Sequence, residues 1–405
     1  MKAILLAGGY GTRLYPLTLR TPKPLLPVAG KPILQYTIDL LAAAGIKDII
    51  ISLKENQEKI EHFFGNGKKS GVKIRYIYEP LTDEEGKMGS VGAINYVLAK
   101  VGAEEGALVI GGDNFIVGLD MRAFTESHRQ RKAHASIALF ELASATEVQL
   151  FGVAKTDSGG RITHFQEKPK PEEALSKLAS TAIYALHPKF VNEHLPAYTE
   201  MKRKKGEKAD KIGDLWEHFV KDLHISGYPF QGIWGDIGNC EDYLQTNRKA
   251  FDLLSKQARN GTKISPIAKI AKTAEITNPV VIEEGCVIKE NAKIGPYVHL
   301  MKSCEIGVSA QISNSILFEG CRIGDKCIIE NSIIDGKVAI SQNSSVTDFS
   351  MVGFECRIGE HSNLSGAKVY PKMSIQENST VEGELLNSIT PLTKELRDSC
   401  YWKPF

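Results

Sequence analysis

The sequence predicts two architectures in one chain: an α/β layered domain with a mainly parallel sheet, then a parallel β-helix. Three observations carry this. Strand-like and helix-like segments alternate through the first half. A pair of glycines, Gly8-Gly9, stands directly after the first strand-like run. In the second half an aliphatic residue recurs at every sixth position. At 405 residues the chain is also too long for one ordinary core.

The α/β reading rests on a succession of segments. Ala3–Ala7 is a short apolar run, as a buried strand should be. Pro32–Ala44 has apolar residues at helical spacing and stops at Gly45. Asp48–Leu53 is strand-like, Glu55–Phe64 helix-like and Lys73–Tyr78 strand-like. Ser90–Val101 reads as a helix, and Ala107–Ile110 as a strand running into Gly111-Gly112-Asp113-Asn114. In open α/β sheets ligands bind beyond the carboxyl ends of the strands. Gly8-Gly9 and Asp113 both lie there.

The six-residue ladder begins at Ile264 and runs through Ile270, Ile276, Ile282, Ile288, Ile294, Leu300, Ile306 and Ile312 to Phe318. After a five-residue step it resumes at Ile323 and Ile329, then at Ile334. It continues to Leu364 and, after a last short step, through Val369 and Ile375 to Val381. Each flat side of a hexapeptide β-helix takes six residues. The ladder's 21 positions, at three sides per coil, predict seven coils. Cys286, Cys304, Cys321, Cys327 and Cys356 each stand two residues before a ladder position, as do Ala268, Ala274, Ala292, Ala310 and Ala367. That position calls for a small inward side chain, so these cysteines read as buried hydrophobes. The expected domains are 1–258, 259–385 and a tail, 386–405. The tail leaves the rhythm and carries Tyr401, Trp402 and Phe405.

Composition narrows the function classes. Hydrophobic content of 42% and charged content of 24% describe a globular chain. A net charge of +2 argues against a nucleic-acid or acidic-membrane partner. No stretch approaches the ~18 apolar residues of a membrane span. The apolar start, Met1–Ala7, is too short for a secretory signal, so a cytoplasmic protein is expected. Seven cysteines without Cys-x-x-Cys spacing argue against a zinc site. The run Lys202-Arg203-Lys204-Lys205 reads as a solvated loop.

The chemistry concentrates in Gly8-Gly9-Tyr10-Gly11-Thr12-Arg13. Glycines permit positive φ and close backbone approach, so successive amides can cradle an anion. No Gly-Lys-Ser/Thr follows, which excludes a Walker loop, and the dinucleotide Gly-x-Gly-x-x-Gly is absent. Arg13 and Lys23 follow without an acid partner nearby in the chain. Arginine grips phosphate bidentately and lysine acts as a point charge.

Leu6-Ala7-Gly8-Gly9-Tyr10-Gly11-Thr12-Arg13-Leu14, with Pro16-Leu17-Thr18 and Pro22-Lys23-Pro24-Leu25-Leu26-Pro27-Val28-Ala29-Gly30-Lys31-Pro32, resembles the signature of the nucleotidyl transferase family. The resemblance spans roughly residues 1–250. It implies a Rossmann-like catalytic domain, followed here by a left-handed β-helix. It also implies synthesis of a nucleotide sugar from a nucleoside triphosphate and a sugar 1-phosphate. Leu6, Ala7, Gly8, Gly9, Gly11 and Thr12 would then hold the nucleotide, and Arg13 and Lys23 would act on its triphosphate. Asp113 and Asp236, the latter in Trp234-Gly235-Asp236-Ile237-Gly238, match the family's metal aspartates. Mg²⁺ prefers one or two carboxylates plus phosphate and water, which fits. Asn239 departs from the family's usual threonine. Gly152, Glu167, Lys168 and Thr181 match the sugar-phosphate end, with Ser180-Thr181 placed before an apolar strand.

The nucleobase is read at Glu79 and at Gly89, in Met88-Gly89-Ser90-Val91-Gly92 beside the insert Leu81–Lys87. A glutamate offers only acceptors, whereas guanine's Watson–Crick edge offers N–H donors, so GTP with mannose 1-phosphate leads. Glucose 1-phosphate with dTTP or UTP follows. Two other readings are a β-helix with acyltransferase activity and a non-catalytic regulatory subunit. The first needs a histidine base near the coils, and only His299 and His361 lie in the ladder. His299, next to inward Leu300, should point outward as a surface residue. Retention of Arg13, Lys23, Asp113 and Asp236 argues against the second. The simplest role for the β-helix is homo-oligomeric assembly.

Overall fold

The computed structural model describes residues 1–55, 57–80, 89–257 and 262–383, with side chains of 256 and 257 excepted. The insert Leu81–Lys87, Met88, the 258/259 boundary and the tail 386–405, with Leu392–Phe405 and its aromatics, lie outside the described residues. The chain forms two compact units, and both are discontinuous. The first contains Met1–Gly9 and Ile33–Trp234. The second contains Tyr10–Pro32 and everything from Gly235 onward.

The first unit is built on a nine-stranded sheet. Lys2–Leu6 lies at its centre, parallel to Asp48–Leu53 on one side and to Ala107–Gly111 on the other. Lys73–Tyr78 adds a further parallel strand at the edge. Ala3, Ile4 and Leu5 are fully buried, as the unbroken apolar run predicts for a strand covered on both faces. Past Ala107–Gly111 the sheet turns antiparallel, through Leu178–Leu186, Ala135–Glu141, Gly152–Thr156 and Ile162–Glu167. Helix Gly89–Val101 packs Val91, Ile94, Val97 and Leu98 into one core with Ile4, Val109, Leu215 and Trp216.

Two local expectations shift. The helix expected from Glu55 begins at Glu58, because the Gln57 side chain is committed backwards. Its Oε1 accepts from Lys54 N at 2.8 Å and its Nε2 donates to Gly9 O at 3.2 Å. Ser180 and Thr181 lie inside strand Leu178–Leu186 rather than before it. Ala182 has φ 55°, and the pairing with Ala135–Glu141 shifts register between Ser180 and Tyr184.

The second unit carries the β-helix: three parallel sheets of seven strands each, hence seven coils as predicted. From Ile282 to Ile375 the ladder residues fill its interior with the five buried cysteines, while Ile270, Ile276 and Val381 at the ends are partly buried and Ile264 is exposed. One rung differs from expectation. Leu317, not Phe318, pairs with Leu300 and joins the interior, so the short step falls one hexad earlier. The rungs also separate by what faces outward. On one sheet, Val281, His299, Ile316, Ile333 and Met351 stack in register, and all five are buried. The equivalent column on the next sheet reads Lys269, Val287, Glu305, Arg322, Ala339 and Arg357, a solvated face for the most part.

His299 does point out of the coil, but it is 0% exposed. Its Nε2 lies 2.8 Å from Glu283 Oε1, and it sits beneath the turn at Gly30, whose φ is 82°. The surface histidine expected there is buried because it belongs to the covered apolar column. Among the described residues no helix is long and apolar enough to cross a membrane.

Candidate active site

In the first unit Gly8, Gly9, Glu79 and Asp113 lie just beyond the carboxyl ends of the parallel strands. Ala7 N donates to Ser52 O at 3.0 Å, which extends the strand pairing up to the glycines. Gly8 does not use positive φ; of Gly8, Gly9 and Gly11 only Gly11 does, at 64°. Gly8 is instead a matter of space. A Cβ there would stand 2.7 Å from Glu79 Oε1.

Glu79 is therefore packed against the glycine turn and is 8% exposed. Its backbone N–H donates to Leu53 O, and Ser52 Oγ donates to its Oε1 at 2.8 Å. Burial raises its pKa above the usual carboxylate range, opposed by the Ser52 hydrogen bond and by Lys54. Ser52 was not legible as a site residue, because an alternating strand position gives no sign of what lies one strand over.

Gly89 has φ 75°, and a Cβ there would stand 2.4 Å from Asp210 Cα. The glycine is demanded by packing against that neighbouring loop. Asp113 follows Gly112, whose N–H donates to Leu6 O at 2.9 Å, so it sits beside the end of the central strand. Asn114 is held on both sides: its Nδ2 donates to Thr181 O at 2.9 Å, and Trp234 Nε1 donates to its Oδ1 at 3.0 Å. Thr181 is 0% exposed and donates its hydroxyl to Ala138 O. Its side chain is thus committed to the sheet.

The sugar-end residues meet around Glu167. A Cβ on Gly152 would lie 2.9 Å from Glu167 Oε2, and one on Gly213 only 2.0 Å from the same atom. The backbone N–H of Glu167 donates to Glu217 Oε1 at 2.7 Å. Lys168 is exposed, with φ 51°, and its N–H donates to Phe151 O at 3.1 Å. A non-glycine residue in that region marks a strained backbone held by its surroundings. Burial raises the Glu167 pKa; Lys168 opposes this, while Asp214 and Glu217 add to it. Gly213, Asp214 and Glu217 come from one helix, Ile212–Phe219, which the sequence had not connected to the motif.

In the second unit Thr18 Oγ1 donates to Gly11 O at 2.8 Å and closes the glycine turn. Thr12 and Arg13 open a short 3₁₀ turn and are exposed. Lys23 is 8% exposed and finds an acid from the far end of the motif list: Asp236 Oδ1, at 3.2 Å. Asp236 is itself fixed, since its carbonyl accepts from Thr246 Oγ1 at 3.0 Å. Asn239 is the residue before helix Cys240–Gln257, and its Oδ1 accepts from Asp242 N at 2.9 Å. The departure from threonine thus keeps a helix cap. Asp242 was missed. A Cβ on Gly238 would lie 2.9 Å from Asp242 Oδ2 and 3.5 Å from both terminal Arg13 nitrogens. Burial raises the Asp242 pKa, and Arg13 and Lys23 hold it down. The unit therefore presents two cations beside two carboxylates, a set suited to polyphosphate with its counter-ion.

Comparison with known proteins identifies the family. The nucleotidyl transferase family matches residues 2–252, more than half of the chain, and a GMPPB C-terminal domain matches residues 276–385. A UTP–glucose-1-phosphate uridylyltransferase of Synechocystis is 30% identical over 92% of this chain and 97% of its own length. Mannose-1-phosphate guanylyltransferase 1 of Arabidopsis thaliana is 28% identical over 93% of this chain and 98% of its own. A crystal structure of UDP-glucose pyrophosphorylase with UDP-glucose superposes with a TM-score of 0.53 at 26% identity, covering 62% of this chain and 98% of that one. The chain belongs to the nucleotidyl transferase family and is a sugar-1-phosphate nucleotidylyltransferase.

Proposed function

We propose that this enzyme joins GTP to mannose 1-phosphate, forming GDP-mannose and releasing pyrophosphate. The observation that carries the choice of base is Glu79, a buried acceptor pressed against Gly8. Ser52 occupies one of its oxygens as donor, which leaves carboxylate lone pairs for the N–H donors of guanine. The match to a GMPPB C-terminal domain and the guanylyltransferase relative support the same reading. Glucose 1-phosphate with UTP or dTTP is the second reading, favoured by the uridylyltransferase relative.

In the mechanism that follows, a phosphate oxygen of the sugar 1-phosphate attacks the α-phosphorus. The bond from that phosphorus to the β-bridging oxygen breaks, and pyrophosphate leaves. The second pKa of a phosphate monoester is about 6, so the nucleophile is already anionic and needs no base. The barrier is repulsion between two anions, which fixed cations reduce. Arg13 and Lys23 take the triphosphate, with Leu6, Ala7, Gly8, Gly9, Gly11 and Thr12 lining the nucleotide. Lys168 takes the sugar phosphate, and Glu167, beside Gly152, accepts from sugar hydroxyls. Thr181 has no side-chain part in this scheme.

Asp113 and Asp236 are the proposed holders of a divalent cation, Mg²⁺ by preference. The donor chemistry fits: both are oxygen ligands and neither is fully buried. Among the described residues no cluster of three or more metal-ligating side chains forms. When bound, such an ion neutralises phosphate charge.

The test is pyrophosphate release across ATP, GTP, CTP, UTP and dTTP with a panel of hexose 1-phosphates. GTP with mannose 1-phosphate should exceed every other pair, and Glu79→Gln should lower that preference by about tenfold. A best rate with UTP and glucose 1-phosphate would replace the lead with the second reading.

A further inference from the structure

We infer that the β-helix holds the proposed phosphate-binding segment in position, through a single buried arginine. Arg20 lies between Arg13 and Lys23, directly after the short 3₁₀ turn Leu17–Leu19. It is 6% exposed, which is unusual for an arginine and calls for partners. Its Nη1 lies 3.4 Å from Asp335 Oδ1. Asp335 is 1% exposed and follows strand Ile333–Ile334, on the sheet whose outward column is buried. The Gly336 N–H donates to the same carboxylate oxygen at 2.7 Å, which fixes the acceptor.

The face of the guanidinium is used as well. Its central carbon stands 3.5 Å from the ring centroid of Phe354, contributed by the next coil. That is a close cation–π stack, and stacks of this kind strengthen with desolvation. Gly336 completes the slot: a Cβ there would meet Arg20 Nη1 at 3.1 Å, Glu319 O at 3.2 Å and the Phe354 ring at 3.5 Å. An Asp-Gly pair on one coil and a phenylalanine on the next thus form a socket shaped for one planar cation. Lysine, a point charge without a flat face, would not fill it.

The remainder of the segment is held nearby by main-chain bonds. Tyr243 Oη donates to Pro27 O at 2.7 Å, and Ala29 N donates to Asn247 Oδ1 at 2.9 Å. These bonds lie four and more residues beyond Lys23. Arg20 lies three residues before it, so the socket anchors the segment on its upstream side. Arg20 touches no reacting atom in the proposed scheme; it is a positioning residue. The β-helix is then part of the catalytic apparatus.

The inference rests on the phosphate role proposed for Arg13 and Lys23, and the test separates the two. Full-length Phe354→Leu, Asp335→Asn and Arg20→Lys are compared with wild type by amide hydrogen exchange and by pyrophosphate release. Exchange over residues 11–26 should quicken in all three, while amides of the β-helix interior keep wild-type protection. kcat should fall on the order of ten- to a hundredfold, with KM for the sugar phosphate unchanged. Phe354→Leu keeps an apolar side chain in the slot and guards against a fold defect from the buried charge. Wild-type exchange over residues 11–26 in the Phe354 and Arg20 variants overturns the inference, whatever the turnover. A wild-type enzyme silent with every substrate overturns the functional reading instead, and the exchange result still decides the socket.

Discussion

At the scale of single residues, one methyl group tests the sugar end. Gly213 lies in helix Ile212–Phe219, where alanine would raise helix propensity by up to about 1 kcal/mol. Its added Cβ would nevertheless stand 2.0 Å from Glu167 Oε2 and 2.5 Å from Glu167 Cδ. These two atoms end a flexible side chain and can swing away, but Glu167 Cβ, at 2.9 Å, is fixed to the backbone, so the helix must also give by a few tenths of an ångström. Gly213→Ala should therefore lower the melting temperature by a few degrees, the propensity gain offsetting part of that shift. It should raise KM for the sugar phosphate, or lower kcat, by about tenfold or more. Steady-state kinetics at varied sugar 1-phosphate decide it; wild-type constants would remove Glu167 from the sugar site. The example also shows what a sequence hides. Glu167-Lys168 is legible as a motif because its members are neighbours. Gly213, Glu217 and Asp242 are brought to their partners by folding alone, across separations that carry no periodic signal. Lys23 is the converse case: it reads as an unpartnered cation, and Asp236 arrives from 213 residues away.

At the scale of elements, the helix Met121–Arg131 and the strand Ala135–Glu141 trap an imidazole between them. His128 is 3% exposed, and its Nδ1 lies 2.9 Å from Ser136 Oγ. Burial pushes its pKa from 6.5 down to about 4, helped by the neighbouring His187 and Arg129. The folded state thus holds His128 neutral, while the unfolded chain takes up a proton near pH 6.5. The contribution is complete above that pH and is lost as pH falls from 6.5 towards 4. A shift of this size corresponds to about 3 kcal/mol at the acid end. In urea titrations from pH 7.5 to 4.5, His128→Gln should flatten the acid fall in stability relative to wild type. Parallel curves for the two proteins would show that His128 does not drive it. Elements were the most legible scale in the sequence. The six-residue ladder located every coil, because a β-helix repeats one physical constraint at each rung. It failed only at Leu317, where Leu317 and Phe318 are both apolar and a five-residue step fits at either.

At the scale of the whole molecule, the division into units cuts across the order of the chain. Tyr10–Pro32, with Arg13 and Lys23, belongs to the unit that carries the β-helix, and Gly8 and Gly9 belong to the other. The sequence reads the glycine motif as one continuous signature, so this division was not legible. The outward column was legible in principle. Val281, Ile316, Ile333 and Met351 are apolar at a position where the neighbouring sheet shows charge, and such a face must be covered. A chain ended at Gln257 keeps helix Cys240–Gln257 and its bonds to Pro27 and Ala29, but loses Asp335, Gly336 and Phe354. Arg20 then loses its carboxylate and its ring, and the restraint they place on it. The first unit holds its own core and should remain folded, with the near-ultraviolet signal of buried Trp216 retained. Turnover should nevertheless drop by about a hundredfold or more, because Arg13 and Lys23 lose the fixed position on which charge neutralisation depends. Restoring the β-helix together with Arg20→Lys should recover only part of the rate. If the truncated chain turns over within a few-fold of the full one, the segment holds itself without the β-helix.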